Sequence, residues 1–189
     1  MESEVIEQEE ASGVQIPMSK ARFLNWNPDD GFLYEYDNGY AEQTTGITKT
    51  ELYIVANIQN KFFITQAHQQ QAKLFGRTDV WVTDEQKRIP DMALFTHQQI
   101  LDAANYVEPI PAFVIELISP TDQADKIEKK VIEYFNAGVQ VVWHVYPALR
   151  MVRVFTSVKS NTTHFDTDPF SAAPIIPDLQ MTVDELFAR

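Results

Sequence analysis

An apolar run, Phe113-Val114-Ile115-Glu116-Leu117-Ile118, is followed by a helical stretch from about Thr121 to Ala137, by Gly138, and by a second apolar run from Gln140 to Tyr146. No other feature of the chain limits its fold as much. Two strands separated by one helix form a β-α-β unit, so they should lie parallel in one sheet with a right-handed crossover. Near-continuous apolar residues imply a sheet covered on both faces. Glu116 breaks that pattern. An unpaired carboxylate in a buried strand costs on the order of several kcal/mol, so the fold must supply a compensating charge.

A second acid, Asp91, stands in the strand-like run from Arg88 to Phe95, which is expected to pair with Val80 to Thr83 across the polar turn Asp84 to Lys87. A metal ion shared by Asp91 and Glu116, helped by a nearby lysine, would offset the buried charge and would also do chemistry. Hard oxygen donors suit Mg²⁺ or Mn²⁺. The competing reading makes Asp91 a strand-entry residue after Pro90, which is the default for so short a motif. For Glu116 the balance tips to function, because a lone acid in an apolar strand is rarely structural unless Arg or Lys pairs with it.

Elsewhere the pattern is that of one domain. Residues 1–19 are acidic without apolar periodicity and read as a flexible tail, and 20–189 read as a single domain. Asp37-Asn38-Gly39 between Phe32 to Tyr36 and Tyr40 to Gln43 signals a tight hairpin. Thr48 is placed to cap a helix over about 49–65, with Leu52, Val55, Ala56, Gln59, Phe62 and Phe63 on its buried face. A short helix is expected around Gln98 to Ala104, a strand from Met151 to Thr156, and a short terminal helix from Val183 to Phe187.

Composition excludes several chemistries. With no cysteine there is no thiolate nucleophile, disulfide or Cys-based zinc site, and the chain suits a reducing cytoplasm. No stretch approaches the roughly 20 apolar residues of a membrane span, and Met1-Glu2-Ser3-Glu4 lacks the basic and apolar regions of a signal peptide, so a soluble cytoplasmic protein is expected. His68, His97, His144 and His164 have no zinc spacing, although His144 falls within an apolar run near the candidate site. There is no glycine-rich phosphate loop and no G-x-S-x-G elbow. A net charge of -12 argues against a protein that coats nucleic acid.

Read in order, Tyr34-Glu35 through Asp37-Asn38-Gly39, Ile89-Pro90-Asp91, Glu116 through Ser119-Pro120, Lys130 to Tyr134, Ala137-Gly138-Val139, Val142-Trp143, Pro177-Asp178-Leu179 and Leu186-Phe187 resemble the PD-(D/E)XK superfamily. Within it they resemble the Uma family of bacterial nucleases. The resemblance implies an α/β fold of restriction-endonuclease-like type, with a central mixed sheet flanked by helices. It also implies a homodimer and Mg²⁺-dependent or Mn²⁺-dependent hydrolysis of phosphodiester bonds in DNA. Asp91 and Glu116 would then be both catalytic and metal-binding, with the Leu117 carbonyl as a further ligand. Glu35, which matches the family's early acid, would be a third carboxylate, although strand alternation places it equally well on a solvated edge.

The superfamily's usual lysine, two residues after the glutamate, is Ile118 here. Members of the family carry a lysine on the next helix, and Lys130 matches it. Ile127, Val131, Tyr134 and Phe135 form one helical stripe with Lys130 at its edge, whereas Lys129 points nearly opposite. Lys130 either leans toward the acids as a catalytic residue or runs along the core edge to water. Ile118 and the acidic charge motivate the alternatives, an inactive nuclease-fold binding or regulatory module, or an acidic subunit whose DNA contacts come from a protein partner.

Overall fold

The computed structural model describes residues 14–44 and 46–189. In chain order the elements are β1 (Gln15–Pro17), α1 (Lys20–Leu24), β2 (Leu33–Asp37), β3 (Tyr40–Thr44), α2 (Leu52–Phe62), α3 (Gln66–Gln69) and β4 (Lys73–Gly76). Then come β5 (Val80–Thr83), β6 (Gln86–Arg88), β7 (Met92–Phe95), α4 (His97–Ala104), β8 (Phe113–Leu117), α5 (Ala124–Ala137) and β9 (Val141–Tyr146). The chain closes with β10 (Met151–Ser157), β11 (Ser160–Phe165), β12 (Pro169–Ala172), β13 (Ile176–Thr182) and α6 (Val183–Leu186).

The β-α-β unit is as expected. β8 and β9 pair in parallel, with Glu116 opposite His144, and α5 connects them, ending at Gly138 in a left-handed conformation (φ 113°) that glycine adopts without steric cost. They form the centre of a six-stranded mixed sheet in the order β11-β10-β9-β8-β7-β4. Both faces are covered. Phe113, Ile115, Trp143 and Val145 pack with Ile54, Ile58 and Phe62 of α2 on one face, and Val114 and Val142 pack with Val131 and Tyr134 of α5 on the other. Glu116 and His144 follow the strand alternation onto the α5 face.

A separate antiparallel sheet, β1-β3-β2-β6-β5, is built on the Asn38-Gly39 hairpin, whose two turn residues have φ of 46° and 96°. Here three expectations change. The run from Arg88 to Phe95 is not one strand: it breaks at Ile89-Pro90-Asp91, leaving β6 in this sheet and β7 in the mixed sheet. Pro90 has no N–H to donate, so the ladder ends there. Residues 15–18, assigned to the acidic tail, belong to the fold, because Gln15–Pro17 pairs with β3 and Met18 is buried; residues 1–13 lie outside the described residues. Helix α2 starts later and turns a different face inward. Thr48 closes a turn onto the Glu51 carboxylate, Leu52 and Phe63 are exposed, and Ile54, Ile58 and Phe62 are buried. Apolar residues on two sides of this helix offer two stripes, and packing against the sheet selects one.

Candidate active site at the joint of two sheets

Asp91 lies between the sheets, just before β7, and the register that pairs Met92 with Ile115 sets it against Glu116 on β8. The backbone of β8 holds Asp91 in place: Asp91 Oδ2 accepts from the Leu117 N–H at 2.8 Å, and the Asp91 backbone amide favours the charged form of the Glu116 carboxylate. Glu116 is buried, and its Oε1 also accepts from the Tyr134 hydroxyl of α5 at 2.6 Å.

Helix α5 brings its polar residues to the other sheet. Lys130 Nζ donates to Glu35 Oε1 on β2 at 2.8 Å, and the same oxygen accepts from the Ile89 N–H at 3.0 Å. Lys130 therefore leans toward Glu35 on β2, with about a quarter of its side chain still exposed (26%). Glu35 is 3% exposed, which removes the solvated-edge reading. A buried guanidinium locks the helix beside this pair: Arg88 donates from Nε to Glu133 Oε2 at 2.7 Å and lies 3.2 Å from Asp37 and 3.7 Å from Glu35. Lys129, although it points away from the core stripe, reaches Asp37 at 2.5 Å.

The electrostatics divide the three acids into two kinds. Burial, reinforced by the Glu116 charge, pushes the Asp91 carboxyl up to about 7. Burial also raises Glu116, against the partial relief given by Lys130. Burial works against charge at Glu35 too, but Lys130 and Arg88 outweigh it and hold that carboxyl below the ordinary range. Burial alone would discharge Lys130; the Glu35 and Glu116 charges hold its ammonium above the ordinary lysine range. Asp91 and Glu116 thus form an under-compensated pair, whereas Glu35 already has its cations.

An all-oxygen pair short of positive charge fits a hard divalent cation. Among the described residues no group of three His, Cys, Asp or Glu side chains is gathered for metal ligation, so further ligands would come from backbone and water. A cleft of about 140 Å³ opens over the pair, lined by Glu35, Asp91, Glu116, Leu117, Lys130 and His144 among others. His144 was legible only as an imidazole in an apolar strand. It is fully buried, neither ring nitrogen has a hydrogen-bond partner among the described residues, and burial with the Arg153 and Lys130 charges pushes it down to about 3, so it stays neutral. Arg88, Asp37 and Glu133 were not singled out by the sequence as a group.

A mixed sheet with a β-α-β centre and helices on both faces, with two facing acids and a lysine of α5 lining one cleft, has a restriction-endonuclease-like fold. Its fold matches the crystal structure of a "putative nuclease belonging to DUF820 from Anabaena variabilis ATCC 29413" with a TM-score of 0.76 at 20% identity, covering 90% of this chain and 98% of that one. Residues 21–184 match the family Uma2, described as "Putative restriction endonuclease", and the chain belongs to that family. Comparison with functionally curated proteins finds no match.

Proposed function

We propose that this protein is a metal-dependent nuclease that hydrolyses phosphodiester bonds in DNA. The observation that carries the reading is the pair Asp91 and Glu116, set opposite each other on the sheet, with Asp91 held by the Leu117 N–H, and left short of positive charge. These two carboxylates would hold Mg²⁺ or Mn²⁺, with the Leu117 carbonyl as a further donor. Bound there, the ion supplies an acidified water and neutralises charge on the phosphate oxygens. Lys130, fixed by Glu35, brings its ammonium to the cleft that Asp91 and Glu116 line, where it would steady charge that develops on the phosphate. Glu35 serves as the lysine's anchor in this reading, a role its two cationic neighbours favour over that of a third metal ligand. Family resemblance supports action as a homodimer, and the lack of cysteine suits the cytoplasm.

Calorimetric titration of Mn²⁺ into wild type and Glu116→Gln, beside thermal melts of both, tests the site without knowledge of the substrate. Saturable binding that vanishes in a folded Glu116→Gln is the expected result; wild type that takes up no Mn²⁺ sinks the metal reading. Asp91→Ala is expected to abolish cleavage of DNA while the protein remains folded. Retained cleavage would remove Asp91 from the chemistry. The second reading, a nuclease fold without the reaction, rests on Ile118 in the place of the superfamily lysine. Metal binding without cleavage across a panel of single-stranded and duplex DNA would favour it.

A further inference from the structure

Tyr134 follows Lys130 by four residues, so the two share one face of α5 while reaching different acids. The tyrosine is fully buried, and its ring packs with Val114, Val131, Val139 and Val142. Phenylalanine would fill that volume equally well, so the hydroxyl is not there for packing. It donates to Glu116 Oε1 at 2.6 Å, inside the roughly 2.5–2.7 Å range of a charge-assisted O–H···O⁻ bond. The Asp91 backbone amide also favours the charged form of this carboxylate, and Asp91 stands opposite Glu116 in the register of β7 and β8. We infer that Tyr134 is a positioning residue for Glu116: its hydroxyl ties down one carboxylate oxygen and keeps the group in a single orientation beside Asp91. The inference rests on the reading of Asp91 and Glu116 as a metal site. A carboxylate fixed in advance needs no reorganisation when a cation arrives, and loss of such an outer partner typically weakens metal affinity about 10- to 100-fold.

The experiment compares wild type, Tyr134→Phe and Val131→Ala by Mn²⁺ calorimetry and melting, together with hydrogen exchange of the Asp91 amide in metal-free protein. Tyr134→Phe is expected to weaken Mn²⁺ binding about tenfold or more and to speed exchange at Asp91, while exchange in the rest of the mixed sheet keeps its rate. Val131→Ala, which disturbs packing on the same helix, is expected to melt earlier yet bind Mn²⁺ within about twofold of wild type. Unchanged Mn²⁺ affinity in Tyr134→Phe, with binding intact in wild type, overturns the inference. Where wild type itself takes no Mn²⁺, the metal reading fails separately and the exchange data decide: faster exchange confined to Asp91 sustains the positioning role, and an unchanged rate ends it.

Discussion

Across mildly acidic pH, Asp91 and His144 are both held in the protonation state that water would not choose, and each leaves a signature in stability. The Asp91 carboxyl is raised from 3.8 to about 7 by burial and by Glu116. Between about pH 4 and 7 the folded state therefore keeps a proton that the unfolded chain has released, and this group's contribution to stability falls as pH rises through that window. Asp91→Asn should stabilise metal-free protein at pH 7 by on the order of 2 to 4 kcal/mol, with the difference vanishing near pH 4, as urea melts across that range would record. His144 has the opposite sign. Held at about 3, it stays neutral where the unfolded chain takes up a proton, so the folded state loses stability as pH falls below about 6.5. His144→Leu removes that loss and two unpartnered buried nitrogens, and should gain about 2 kcal/mol over wild type at pH 5. Absence of any pH dependence in either difference would contradict the assignment. The burial of Glu116 could be read from the sequence because an acid among apolar neighbours is anomalous, whereas Asp91 beside Pro90 stood out only through its order with Glu116. Asp37 and Glu133 could not, because an acid at a hairpin end or on a helix usually faces water.

Helix α5 is the element on which the site depends, since its ions hold the antiparallel sheet and its apolar stripe holds the mixed sheet. Arg88 is the centre of that seam, 2% exposed and facing Glu133, Asp37 and Glu35. Arg88→Met would leave three carboxylates without their shared cation, and should destabilise the protein by about 3 to 5 kcal/mol in a urea melt. A loss under 1 kcal/mol would mean that Lys129 and Lys130 suffice alone. Among the elements, the β-α-β unit was legible because its apolar runs, helical stripe and Gly138 agree with one another. The division between β6 and β7 was less so, although Pro90 marked it, because the apolar residues on both sides read as one strand. β11 gave no signal, since five of its six residues are exposed and carry no apolar alternation. β12 and β13 went unread, and the latter contains Pro177.

Across the whole molecule the charge of -12 opposes contact with a polyanion, and five glutamates within residues 1–10 supply much of that opposition. Deleting residues 1–10 should therefore tighten DNA binding by the Glu116→Gln variant at low salt, with the gain shrinking as ionic strength rises. Fluorescence anisotropy with labelled duplex would measure it, and equal affinity for both forms would locate the repulsion elsewhere. The fold answers the charge within the site by concentrating Arg88, Lys129 and Lys130 at the seam between sheets. That seam is composed of residues far apart in the chain, from Glu35 on β2 to Tyr134 on α5. During translation the ribosome delivers Glu35 and Asp91 well before Lys130 and Tyr134. A nascent chain that has not yet released α5 therefore carries acids without their lysine, and the joint between the two sheets is complete only once α5 has been made.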